Sequence, residues 1–91
     1  MNVLFHRLGW EDYQHWAARD RETLRKLNTL IEQCRRDPFK GPGKPEPLKG
    51  EWRGCWSRRI NQSDRLVYRV VGGGSDQRLE IIQCRFHYDR P

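Results

Sequence analysis

Residues 55–71 read CWSRRINQSDRLVYRVV. Within this stretch Leu66, Tyr68 and Val70 alternate with Arg65, Val67 and Arg69, a period of two that marks a strand with one buried face. Trp56 and Ile60 repeat the pattern on the other side of the Asn61–Asp64 turn, leaving Ser57 and Arg59 outward. The two runs form a hairpin. Arg58 then falls on the core face, a conflict that either a sheet edge or a carboxylate partner would resolve.

Working outward, GGGSD at 72–76 makes a second, Gly-rich turn. RLEIIQCRFHY at 78–88 makes a third strand in which Ile82, Cys84, Phe86 and Tyr88 alternate with Gln83, Arg85 and His87. Upstream of the hairpin the period is helical. Trp10, Tyr13, Trp16 and Ala17 share one spacing. Leu24, Leu27, Leu30, Ile31 and Cys34 stripe a second helix that Asp20 caps and Pro38 stops. VLFH at 3–6 is a short leading strand. The order β-α-α-β-β-β predicts an α+β fold, with two N-terminal helices packed on one face of a small twisted antiparallel sheet. Residues 1–91 suit a single domain.

The chain has 91 residues and a formal net charge of +6, with 33% charged residues. Such a surface suits a polyanion: nucleic acid, an acidic protein segment or a membrane surface. No apolar run is long enough to span a membrane and no signal-peptide core is present, so a cytoplasmic protein without a membrane partner is expected. Cys34, Cys55 and Cys84 form no C-x-x-C pair, which argues against a zinc site and for three free thiols. No metal and no cofactor is expected.

The period-two reading gathers Arg59, Arg65, Arg69, Arg85 and His87 on the open sheet face, with few acids to balance them. Charged solvent faces are ordinary in antiparallel sheets. This one is biased toward guanidinium forks, which suit phosphate. Residues 41–50, GPGKPEPLKG, hold Glu46 between Pro45 and Pro47 with Lys44 and Lys49 close by. The prolines restrict the backbone around that carboxylate. A carboxylate and a histidine beside phosphate-binding arginines can run general acid–base cleavage of RNA through its 2′-hydroxyl, without a metal.

The stretch DPFKGPGKPEPLKGEWRGCWSRRINQSDRLVYRVV followed by CRFHY, with WEDYQHWAARDRETLRKLNTLI before it, resembles the YoeB/Txe toxins of bacterial toxin–antitoxin systems, within the RelE superfamily. The resemblance runs over nearly the whole chain and implies a fold related to microbial ribonucleases. It implies an mRNA endonuclease that acts in the ribosomal A site, inhibits translation and is neutralised by a YefM/Axe-type antitoxin; it leaves room for a homodimer. By motif, Glu46 would be the general base, His87 the general acid and Arg65 the stabiliser of the transition state. Tyr88 would position the mRNA base. Arg59 and Lys49 would contact the phosphate, with Lys44, Arg69 and Arg85 extending the RNA-binding surface. The chain departs from the family pattern in its GGGSD turn, in Cys55 and in the tail Asp89-Arg90-Pro91. Asp89 is expected on the face of His87 if the last strand continues.

Two rival readings share these residues. One is a non-catalytic basic module that binds RNA or ribosomes. The other is a protein whose basic face only receives an acidic antitoxin segment.

Overall fold

The computed structural model describes residues 1–87. Strand β1 (Asn2–Phe5) leads into helices α1 (Arg7–Arg19) and α2 (Arg21–Arg36). Four strands follow: β2 (Glu46–Pro47), β3 (Trp56–Arg59), β4 (Arg65–Val71) and β5 (Arg78–Gln83). They form one sheet in the order β1-β5-β4-β3-β2. The hairpin pairs β3–β4 and β4–β5 are antiparallel, as expected, but β1 lies parallel to β5. The sheet is therefore mixed. Hairpins dictate direction only between consecutive strands, and β1 reaches the sheet's far side from β2 through two helices.

Helix α2 follows its sequence closely. Asp20 Oδ1 accepts the Thr23 N–H at 3.1 Å, and its Oδ2 accepts the Thr23 hydroxyl at 2.7 Å. These bonds, led by the backbone one, hold the Asp20 carboxyl below its ordinary range. Leu27, Leu30, Ile31 and Cys34 are buried against Ile60, Leu66, Tyr68, Leu79, Ile81 and Cys84. Helix α1 contributes Trp16 to that core, while Trp10 remains exposed beside Phe5 and Tyr13. Gly9 lets α1 approach β5, since a Cβ there would lie 2.5 Å from the Ile81 carbonyl oxygen.

Three expectations for the last strand change. Val67 pairs with Gln83 but Tyr68 pairs with Ile81, so Ile82 is an extra residue in a β-bulge. Ile81 rather than Ile82 therefore enters the core, and Glu80 turns to the outer face. The strand ends at Gln83 instead of running through the terminal His-Tyr pair. Its continuation is captured by α1: the Asp12 carboxylate accepts the Cys84 N–H at 3.0 Å, and the Trp16 indole donates to the Cys84 carbonyl at 2.8 Å. Phe86 is exposed rather than core-facing. Tyr88 and the tail Asp89-Arg90-Pro91 lie outside the described residues.

Arg58 does lie on the core face, fully buried. Its partners are backbone carbonyls of the Pro/Gly segment instead of a carboxylate. Nη2 donates to Asp37 at 2.5 Å and Lys40 at 2.9 Å, Nη1 to Pro42 at 3.2 Å, and Nε to the Tyr68 hydroxyl at 3.1 Å. Tyr68 in turn donates to the Pro38 carbonyl at 2.5 Å. One buried guanidinium thus folds residues 37–42 onto the sheet. Among the described residues no helix is long and apolar enough to cross a membrane.

Candidate active site

Glu46 belongs to a two-residue edge strand, where Pro47 is tolerated because an edge position needs no ladder N–H. It pairs with Ser57, Ser57 pairs with Val67, and Val67 pairs with Gln83. This row crosses the sheet face opposite the helices. Ser57, Val67 and Gln83 are buried along it, and Glu46 stands exposed at its edge. The next row on that face is Arg59 opposite Arg65. Strand spacing puts Glu46 and β4 about 10 Å apart, with Arg59 standing between them one row along.

Backbone bonds hold Glu46's strand in place. The Arg59 N–H donates to the Gly43 carbonyl at 2.7 Å, and the Leu48 N–H to the Cys55 carbonyl at 2.9 Å. Gly43 has φ 86°, and a Cβ there would meet Arg58, Arg59 and Leu30 at 3.1–3.2 Å. Lys44 also takes a positive φ, 51°. This is uncommon for a residue with a side chain, and the turn it makes feeds directly into Pro45 and Glu46. Lys44 and Lys49 are both exposed beside it. A cleft of about 580 Å³ opens next to this segment, lined by Lys26, Lys44, Arg59 and Asn61 over Leu30 and Ile60.

Arg65 is half-buried, and its Nη1 donates to the carbonyls of Asn61 (2.9 Å), Gln62 (3.3 Å) and Asp64 (3.2 Å). Its own N–H donates to the Phe86 carbonyl at 2.9 Å, bringing the C-terminal segment alongside β4. Phe86 has φ 62°, a true outlier for a bulky residue. The Arg85 guanidinium lies 4.3 Å from the Phe86 ring centroid, a cation–π contact. His87 follows, exposed, with its carbonyl 3.4 Å from Gln83 Nε2.

The expected residues therefore divide into groups. Glu46, Arg59 and Arg65 occupy adjacent rows of one face, and Arg85 and His87 sit on the segment bonded to Arg65. Arg69 is elsewhere: it lies four residues along β4 from Arg65, about 13 Å at strand rise, and its Nε is 2.8 Å from Glu80 Oε1. Glu80 also accepts from His6 at 2.9 Å and Arg78 at 2.7 Å. Those bonds hold its carboxyl down at about 2, His6 first and Arg69 next. The acid that neutralises this end of the face was hidden by the bulge.

Sequence reading also passed over Asp12, Asp64 and His15. Asp12 is legible only as a polar residue between Gly9 and Trp16 on the buried side of α1. His15 stacks edge-on against Trp16 with centroids 5.0 Å apart. Burial, then the charges of Arg85 and Arg19, hold its imidazole below the ordinary value. The Cys34 thiol is pushed up to about 11 by burial, as suits a packing group.

The family model of the YoeB-like toxin of bacterial type II toxin–antitoxin systems matches residues 5–88. The Toxin YoeB of Streptomyces coelicolor is 52% identical over 88 residues, covering 97% of this chain and 100% of that protein. The solved YoeB/ParE toxin from Agrobacterium tumefaciens superposes with a TM-score of 0.93 at 53% identity, over 97% of this chain and all of that one. The heterotetrameric YoeB–YefM toxin–antitoxin complex from Staphylococcus aureus gives 0.85 at 37% identity, over 97% of this chain and 98% of that one.

Proposed function

The chain belongs to the YoeB-like toxins of bacterial type II toxin–antitoxin systems, and from that premise we propose that it is an endoribonuclease cutting mRNA in the ribosomal A site. Residues 1–91 act as one toxin domain in the cytoplasm. The Glu46 carboxylate takes the proton from the ribose 2′-hydroxyl, and the 2′-oxygen attacks the adjacent phosphorus. Arg65, Arg59 and Lys49 neutralise the charge that grows on the phosphorane oxygens. The P–O5′ bond breaks as the protonated imidazole of His87 delivers a proton to the departing oxygen. The products are a 2′,3′-cyclic phosphate and a free 5′-hydroxyl. Side chains of the chain fill every role, so no metal enters a step. Tyr88 positions the mRNA base.

The observation that carries this reading is the pairing of rows on one sheet face. Glu46 stands at the edge, Arg59 faces Arg65, and the His87 segment is bonded to Arg65 through the Phe86 carbonyl. The spacing of about 10 Å between Glu46 and β4 admits a phosphodiester between a base on one side and an acid on the other. Lys44 and Arg85 extend the positive surface for RNA, and Arg69 does so only with the charge left after pairing with Glu80. The same surface takes an acidic segment of a YefM-type antitoxin; the YoeB–YefM complex from Staphylococcus aureus supports an antitoxin partner.

The test is Glu46→Gln and His87→Gln in a translation extract. Each acid–base role is worth about 10²–10⁴-fold, so each variant should lose at least about 10²-fold in cleavage while still binding ribosomes. Cleavage at the wild-type rate by either variant contradicts its assignment.

A further inference from the structure

Asp64 has no part in the chemistry just described, yet its geometry is unusual. It closes the Asn61–Asp64 turn and is 9% exposed. The Asn61 side-chain oxygen accepts the Ser63 and Asp64 N–H groups at 2.8 Å each, and the Asp64 carbonyl accepts from Ile60 N at 3.0 Å. The neighbouring Arg65 guanidinium donates to carbonyls and not to this carboxylate. Instead, Asp64 Oδ1 accepts the Phe86 N–H at 2.6 Å. A buried carboxylate aimed at a backbone amide makes a short, charge-assisted bond.

Phe86 is therefore held at both ends of its backbone. Asp64 takes its N–H and the N–H of Arg65 takes its carbonyl. Consecutive residues grip one residue, and that residue has the unfavourable φ of 62°. An aromatic residue keeps such a conformation only when its surroundings over-determine it. Phe86 is 46% exposed and outside the core, and Cys84, two residues earlier, is already anchored by Asp12 and Trp16. The strained residue immediately precedes His87.

We propose that Asp64 is a positioning residue for His87: its carboxylate locks Phe86 in the left-handed conformation that aims the histidine at the phosphate bound by Arg65. This rests on the reading of His87 as the general acid. Without the lock, Phe86 relaxes to a negative φ and His87 leaves the Arg65 face, while the core and the RNA-binding surface stay in place. A displacement of about 1 Å in a catalytic group costs about 10²-fold in rate.

The experiment compares Asp64→Ala, Asp64→Asn, His87→Gln and Asp64→Ala/His87→Gln in the full chain, on ribosomes programmed with mRNA. Asp64→Ala should lower the single-turnover cleavage rate about 10²-fold, with binding to ribosomes carrying a 2′-deoxy message unchanged within about 3-fold. Asp64→Asn keeps the acceptor oxygen and should retain most of the rate. In the His87→Gln background, Asp64→Ala should add no further loss, because the group it positions is gone. A further loss equal to that of the single variant overturns the proposal, as does a parallel loss of ribosome binding. Full activity of His87→Gln would instead remove the general-acid reading on which the proposal stands. Should Asp64→Ala fail to fold, amide exchange in the wild-type chain decides: the Phe86 amide should be protected, and exchange at the rate of a free peptide overturns the lock.

Discussion

Arg58 should be the costliest single side chain to remove, and its removal should disable the site from behind. Its guanidinium is fully buried, and the counter-charge its described bonds supply is the dipoles of the Asp37, Lys40 and Pro42 carbonyls and the Tyr68 hydroxyl. Bonds of a charged group contribute about 1.5–3 kcal/mol each, but dehydrating the cation costs several kcal/mol. Removing the guanidinium strands no charge, but it leaves the Asp37, Lys40 and Pro42 carbonyls without this donor at about 1–3 kcal/mol for each that water does not reach; set against the dehydration relieved, the net loss is about 2–4 kcal/mol, a large part of the roughly 5–15 kcal/mol that holds a domain together. Arg58→Met keeps the aliphatic stem and deletes all four bonds. At a urea slope of roughly 1–2 kcal/mol/M its midpoint should fall by about 1–4 M. Cleavage should fall with it, because the bonds lost are those that fold residues 37–42 beside Glu46's strand. Arg59→Met is the control: Arg59 is exposed, so stability should change by no more than about 0.5 kcal/mol while cleavage drops. An Arg58→Met midpoint within about 0.5 M of wild type, at an unchanged slope, would refute the account of how the segment is held.

Two further outcomes are expected. Glu80 has its carboxyl lowered to about 2 from 4.5, so its contribution is present above about pH 5 and is lost as pH falls through 2. The shift corresponds to at most about 3 kcal/mol, and the partial exposure of His6, Arg69 and Arg78 reduces this to about 1–2 kcal/mol. Glu80→Gln should therefore be less stable by that amount at pH 7 and indistinguishable from wild type below about pH 2; equal stability at pH 7 counts against the network. Gly9→Ala should destabilise by about 1–3 kcal/mol through overpacking, because the new methyl meets the Ile81 carbonyl at 2.5 Å, and thermal melts that overlay wild type would show that α1 does not pack so closely.

How far these features could be read in advance depended on whether they were local. The alternation in β4 put Leu66 and Tyr68 in the core, and the Asp20 cap and α2 stripe formed as their spacing implied. The same alternation put Arg59 and Arg65 on one face. It failed in β5, because a one-residue bulge shifts the register and no composition signal marks Ile82 as the extra residue. That miss concealed Glu80, and with it the ion pair that occupies Arg69. Arg58 was placed correctly but its partners were not foreseen, since carbonyls of residues 37–42 become acceptors only when the loop closes. The parallel pairing of β1 with β5, and the capture of Cys84 by Asp12 and of Phe86 by Asp64, join residues far apart in sequence and have no local signature.

The central claim is that side chains of this chain cut RNA through its own 2′-hydroxyl. The most direct measurement is cleavage, in a translation extract, of a message carrying a single 2′-deoxy sugar at the scissile position, set beside the all-ribose message. Cleavage at that position should vanish, and the all-ribose message should yield a 5′ fragment ending in a 2′,3′-cyclic phosphate or its opened 3′-phosphate. A deoxy message cut at the same bond and the same rate would contradict the mechanism.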